Sequence, residues 1–167
     1  MTALERTNIE SPIGSITLVL DGGTIVICEF SDREARVSRQ LAKCYPGRPV
    51  TDIGAPAVIK AAFDAYFTGV RDALDTLPSA PKGTPFQERV WATLKRIPAG
   101  TAWSYADLAA AVGSHPRAVG GANGANPCAL LHPCHRVIGA DGSLTGYAGG
   151  IERKAWLLAH EEYQVKA

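Results

Sequence analysis

The chain has 167 residues, of which 46% are hydrophobic and 20% charged, and its formal net charge is +1. That length accommodates one domain or two small ones with a genuine core, and the composition excludes a disordered, collagenous or disulfide-stapled chain. No run approaches the roughly 18 apolar residues of a membrane span. The first ten residues carry acids and no apolar core, which excludes a secretory signal.

Residues 8–30 alternate and then run apolar around Asp21-Gly22-Gly23, the pattern of a β-hairpin with glycines supplying positive φ at its turn. A Ser11-Pro12-Ile13-Gly14 turn precedes it. Residues 32–43 read as a helix with Ser31 as N-cap, ended by Cys44-Tyr45-Pro46-Gly47. Residues 57–67 read as a second helix with Val58, Ala61, Ala62, Ala65 and Tyr66 on its apolar stripe. Pro78, Pro81, Gly83 and Pro85 then mark a boundary. The expected organisation is an N-terminal domain over residues 1–76, a linker over 77–84 and a second domain over 85–167.

Thr84 and Pro85 open a helix over residues 85–96, with Phe86, Val90, Trp91 and Leu94 inward. Ser104 caps a short helix ended by Gly113, and another helix fits residues 117–124. Helix, Gly-containing turn, helix is the helix-turn-helix pattern. The second of these helices carries Gly120, Gly121 and Gly124, each costing about 1 kcal/mol relative to Ala. Close approach of a nucleic-acid backbone and tight packing in the core both account for them. A closing helix over residues 152–162 has Ile151, Ala155, Trp156, Leu158 and Ala159 as its apolar face. Between Leu108 and Ala140 there is no acid, while Arg117, Arg136 and three histidines lie there, so a polyanion could approach without repulsion.

Within that stretch Pro133-Cys134-His135-Arg136 sets a thiol beside an imidazole and a guanidinium. Only the thiolate is a nucleophile, and cationic neighbours favour it. Pro133 suits a rigid turn. A presented nucleophile and a small buried core residue are the two readings of Cys134. The four cysteines, Cys28, Cys44, Cys128 and Cys134, form no CxxC pair and no zinc spacing, so free thiols, a reducing cytoplasmic compartment and no metal site are expected. The Gly-rich Thr145–Gly150 loop lacks P-loop spacing.

Several motifs in order closely resemble the O6-alkylguanine-DNA alkyltransferase family: Asn126-Pro127; Pro133-Cys134-His135-Arg136-Val137-Ile138-Gly139; Leu144-Thr145-Gly146-Tyr147-Ala148-Gly149-Gly150; and Lys154-Ala155-Trp156-Leu157-Leu158-Ala159-His160-Glu161. Arg117-Ala118-Val119-Gly120, Thr84 to Trp91 and Ser104-Tyr105 are similar as well. The resemblance covers residues 83–162, and the first 80 residues match only in outline.

This resemblance implies an α+β protein: an N-terminal α/β domain with an RNase H-like sheet, then a mainly helical, winged-helix-like helix-turn-helix domain that binds DNA and carries the chemistry. It implies direct-reversal repair, in which an alkyl group passes irreversibly from O6 of guanine (also O4 of thymine) in double-stranded DNA to one cysteine, so each molecule acts once. Minor-groove binding, flipping of the damaged nucleotide, a monomer, no cofactor, no metal, no membrane and a cytoplasmic, nucleoid-associated location follow from the same resemblance.

By resemblance Cys134 is the acceptor thiolate, His135 its base, Glu161 the group orienting the base, and Asn126 the hinge bracing the Cys134 turn. Tyr105 supplies a donor to the leaving guanine and contacts the DNA backbone. Arg117 fills the vacated space in the stack, Ala118 and Gly121 lie on the DNA-facing helix, Val137 and Ala148 read guanine edges through main-chain groups, and Asn123 lines the pocket. Cys128 is a bystander. Three departures stand out, one being Ala148 in place of a serine found in some members. The turn before Arg117 is about two residues shorter than the family pattern, and His132 stands where Ile or Val is usual. Two other readings remain distinct: a damage-binding relative that lacks the acceptor cysteine, which the presence of Cys134 opposes, and a Cys-His hydrolase, which would need neither Arg117 nor the Gly-rich helix.

Overall fold

The computed structural model describes residues 2–163. Two compact units emerge among the described residues, one running to 82 with 127–131, the other from 83 to 126 with 132–163.

The first unit is built on a four-stranded sheet of β1 (Leu4–Ile9), β2 (Ile16–Asp21), β3 (Thr24–Phe30) and β4 (Val50–Asp52), in the order β3-β2-β1-β4. The two hairpin pairings are antiparallel, and β4 lies parallel to β1. Gly22 and Gly23 both have positive φ, 58° and 86°, in the two-residue turn that pairs Asp21 with Thr24. Two consecutive positive φ values define the hairpin turn whose twist matches the strands. Ser11 also forms the expected turn, with its hydroxyl donating to the Gly14 carbonyl at 2.6 Å.

α1 (Glu34–Cys44) lays Val37 against Leu4, Val19, Val26 and Ile27 of the sheet. Ser31 does not cap it: it sits in a 3-10 turn, Ser31–Arg33, and its hydroxyl meets those of Thr17 and Ser15 at 2.8 and 3.1 Å. α2 (Ala57–Phe67) buries Ile59, Phe63 and Tyr66, whereas Val58 is 76% exposed. Tyr66 of the expected stripe is buried, but the face turns one residue away from Val58 toward Ile59 and Phe63. Aromatic side chains at 63 and 66 bury more area than alanines at 61 and 65 and fix the face.

Residues 127–131, expected within the second domain, belong to the first unit because β3 has an open outer edge. The Cys28 N–H donates to the Pro127 carbonyl and the Cys28 carbonyl accepts from the Ala129 N–H, both at 2.9 Å. Further along the same edge, Ile25 bonds in the same two-way fashion to Pro78 and Ala80. An unpaired edge has unsatisfied polar groups, and two distant pieces of chain satisfy them.

The second unit contains α3 (Pro85–Leu94), β5 (Trp103–Ser104), α4 (Tyr105–Val112), α5 (Pro116–Gly124), β6 (Val137–Ile138) and α6 (Ile151–His160). Thr84 and Gln87 form a reciprocal capping box on α3, and Ser104 with Asp107 forms another on α4. Gly113 ends α4 in the left-handed conformation. Ser114 and His115 then complete the short turn, with the His115 ring accepting the Ala118 N–H at the start of α5. Val90, Trp91, Leu94, Leu108, Val119 and Val137 form the core with Cys134. The Trp91 indole ties α3 to α5 by donating to the Ala122 carbonyl at 2.7 Å.

α6 departs from its expected face. Ile151 is 44% exposed, Ala159 is exposed, and the buried positions are Lys154, Leu157 and Leu158, followed by Glu161. Positions 154, 157, 158 and 161 share one helical face. Two of them are charged, so a pattern of apolar residues alone could not reveal it. β6 pairs in parallel with β5, Val137 opposite Trp103 and Ile138 opposite Ser104. The strand leaving the Cys134 turn is thereby fixed beside the start of α4, where Tyr105 stands.

Candidate active site

Cys134, His135 and Arg136 form a single 3-10 turn between Pro133 and β6. All three are buried, with Cys134 5% and His135 0% exposed. The turn is held by side chains that reach its carbonyls, because it belongs to no helix or sheet that could satisfy them. Asn126 Nδ2 donates to the His132 carbonyl at 2.8 Å, and the Cys134 N–H donates to the same oxygen at 2.7 Å. Asn123 Nδ2 donates to the Cys134 carbonyl at 3.4 Å. The Val137 N–H donates back to the Cys134 carbonyl.

Glu161 follows α6 and is fully buried. Its carboxylate takes His135 Nε2 at 2.9 Å on one oxygen and Arg136 on both, Nε at 2.8 Å and a terminal nitrogen at 2.9 Å. The remaining arm of Arg136 donates to the Ile97 carbonyl at 2.7 Å. Burial raises the Glu161 pKa, but His135 and Arg136 outweigh that and hold the carboxyl below its ordinary 4.5. Burial pushes His135 below its ordinary 6.5 despite the pull of Glu161, so the ring is neutral at pH 7 and Arg136 supplies the lasting counter-charge. A carboxylate only accepts, so the neutral ring carries its proton on Nε2, and Nδ1 is left as an acceptor. Nδ1 makes no hydrogen bond among the described residues. A buried acceptor next in sequence to a thiol is a base in waiting.

Lys154 was missed as a site residue. Its side chain is completely buried, and Nζ donates to the carbonyls of Val137 at 2.5 Å and Thr145 at 2.8 Å. Burial lowers its pKa from 10.5 to about 8, opposed by the charge of Cys134. It joins the strand after the nucleophile to the Gly-rich loop. The signal in the sequence was its place three and four residues before buried leucines and seven before Glu161. The Val137 main chain, expected to face a base, thus already bonds to Cys134 and Lys154. Ala148 is half-buried in the loop beyond Thr145. Tyr147, whose ring centroid lies 6.5 Å from that of His135, packs on the same core.

On α5, Arg117 and Gly121 are exposed and Ala118 half-buried. A Cβ on Gly121 or Gly124 would meet nothing within 4 Å, so packing within the protein does not require these glycines. Gly120 differs: a Cβ there would lie 3.7 Å from the half-buried Tyr105 ring. His132, far from facing solvent, is 5% exposed, and its Nδ1 lies 2.9 Å from the Trp91 carbonyl.

The description "6-O-methylguanine DNA methyltransferase, DNA binding domain" matches residues 85–163. A Bacillus subtilis methylated-DNA–protein-cysteine methyltransferase, constitutive, is 51% identical over 163 residues, spanning 96% of each chain. The chain belongs to the methylated-DNA–protein-cysteine methyltransferase family. A Shigella flexneri member is 40% identical over 168 residues and 98% of each chain. The crystal structure of Mycobacterium tuberculosis OGT in complex with DNA matches with a TM-score of 0.80 at 38% identity, covering 95% of this chain and 92% of that one. The family's mixed α/β fold is therefore the fold seen here, with its sheet and six helices among the described residues.

Replacing Glu161 by Gln leaves Arg136 buried without its counter-charge, which costs about 3–5 kcal/mol at pH 7. Because the folded pKa of Glu161 lies below the unfolded 4.5, its stabilisation is complete above pH 4.5 and is lost as pH falls below it. Urea denaturation of the two proteins should show a gap that narrows below pH 4.5. A gap that stays constant there contradicts the assigned charge state.

Proposed function

We propose that this chain repairs alkylated double-stranded DNA by direct reversal, accepting the alkyl group from O6 of guanine, and from O4 of thymine, on Cys134. The observation that carries this is the buried Cys134-His135-Glu161 arrangement, in which Glu161 fixes the imidazole and leaves Nδ1 as an acceptor. The thiol proton passes to Nδ1, directly or through a solvent molecule. Sγ attacks the alkyl carbon, the S–C bond forms as the C–O6 bond breaks, and the bonding electrons leave with guanine. Glu161, itself neutralised by Arg136, then faces an imidazolium and stabilises it. The thioether formed is a stable bond with no base to cleave it, so each molecule acts once.

A thiol that is 5% exposed cannot reach an atom inside a duplex. The damaged nucleotide therefore leaves the stack to enter the pocket. Arg117, on the exposed face of α5, fills the gap it leaves. Ala118 and Gly121 lie along the same helix, where the missing side chains admit a phosphate backbone or groove edge closely. We assign this helix to the minor groove. Tyr105, at the start of α4 and over Gly120, donates to the departing guanine, while main-chain groups of Val137 and Ala148 read its edge and Asn123 closes the pocket wall. The two units correspond to an N-terminal RNase H-like α/β domain and a winged-helix-like domain that does the chemistry. The protein acts as a monomer in the cytoplasm, on the nucleoid, and needs no cofactor or metal.

Incubation with a duplex containing O6-methylguanine should add the mass of one CH2 unit to the peptide bearing Cys134, at one per chain. Cys134→Ala should take up none and still bind the duplex, because phosphate contacts position the DNA independently of the thiol. Modification at Cys28, Cys44 or Cys128 instead would refute the assignment. For Arg117→Ala, holding open an unstacked step worth a few kcal/mol becomes the limiting loss, so duplex repair should slow by roughly tenfold. Attack on free O6-benzylguanine should be unaffected, and equal losses on both substrates would place Arg117 in the chemistry or the fold.

A further inference from the structure

His132 has a buried, hydrogen-bonded ring that the transfer mechanism does not use. Its partner, the Trp91 carbonyl, lies in the last turn of α3. There the Lys95 N–H turns to the Ala92 carbonyl and the Arg96 N–H to that of Thr93, so the helix closes in three-residue steps. The last carbonyls of a helix lack intrahelical partners and take side-chain donors. A carbonyl only accepts, so His132 Nδ1 carries the proton and donates to Trp91. The main-chain carbonyl of the same residue receives Asn126 Nδ2 and the Cys134 N–H. Arg136, on the other side of the nucleophile, donates to the Ile97 carbonyl just past α3. The Cys134 turn is thus suspended from the end of one helix by the residues two before and two after the thiol.

We propose that His132 is a positioning residue for Cys134, anchoring the carbonyl that holds the Cys134 N–H to the C-terminal end of α3. It acts through Asn126 and the main chain and touches no substrate. Lys95, at the end of α3, is the charged group that acts on its ring. Burial keeps the imidazole neutral, with a pKa lowered from 6.5 to about 4, so the anchor is an uncharged donor throughout the neutral range.

The proposal rests on the alkyl-transfer reading, and its test separates the two. Three full-length variants are compared with the native protein by single-turnover transfer from an O6-methylguanine duplex, with the rate followed against DNA concentration. His132→Leu keeps the bulk and removes the donor. Asn places its Nδ2 three bonds from Cα, where His places Nδ1, whereas Gln places its donor one bond further out. His132→Leu and His132→Gln should lower the maximal rate by about tenfold, the loss expected when one uncharged hydrogen bond that positions the thiol is removed, with the half-saturating DNA concentration unchanged. His132→Asn should recover most of the rate. A leucine variant as fast as native, an asparagine variant as slow as glutamine, or a loss confined to half-saturation would overturn the assignment. Should the leucine variant fail to fold, the Asn and Gln pair decides alone. A native protein that transfers nothing would instead overturn the alkyl-transfer reading itself.

Discussion

One carboxylate organises the turn that carries Cys134. Glu161 is buried without access to solvent, and an ionised group in such a place is tolerated only when paired and fully hydrogen-bonded. Arg136 meets both its oxygens and His135 meets one, so its acceptor sites are used by donors from the very turn that carries Cys134. Charge neutrality, the tautomer of His135 and the placement of Cys134 are therefore one problem with one solution. Moving the end of α6 would strand the Arg136 guanidinium in the core without its counter-charge, which ties Glu161 to the turn that carries Cys134.

The same logic extends through the surrounding main chain. Residues 132–138 have little regular structure, yet their carbonyls are taken by Asn126, Asn123 and Lys154, and the neighbouring arginine and histidine in turn take carbonyls at the end of α3. Cys134 and its flanking residues are held by donors on α5, just after it and on α6, and by carbonyls at the end of α3. Preorganisation of this kind lets a buried thiol meet an alkyl carbon without rearrangement at the moment of reaction. The exposed face of α5 contrasts with it. Gly121 and Gly124 leave open space where side chains would stand, at the backbone cost that glycine carries in a helix.

Much of this was legible in the sequence where local rules act alone. The capping boxes at Thr84 and Ser104, the Gly22-Gly23 turn and the Gly113 stop are each set by one or two residues. The Pro-Cys-His-Arg motif with Glu161 was legible through family resemblance, not through spacing. What escaped depended on partners distant in the chain. Ser31 looked like a cap but found hydroxyls on β2 and in the turn before it. The α2 face was set by where Phe63 and Tyr66 could bury. β4 is three exposed residues given strand form only by β1. Residues 127–131 went to the first unit because β3 needed an edge partner. Lys154 escaped for the reason Glu161 would have: a charged residue on a buried helical face reads as solvent-facing until its buried partners are known.

The central claim is that burial holds His135 neutral while Glu161 fixes its proton on Nε2, leaving Nδ1 to receive the proton of Cys134. The ring nitrogen chemical shifts of selectively 15N-labelled His135, recorded from pH 5 to 8, report this state directly. The account predicts a protonated Nε2 and an unprotonated Nδ1 at pH 7 and above, with any transition displaced below 6.5. An imidazolium at pH 7, or a proton found on Nδ1, would contradict it.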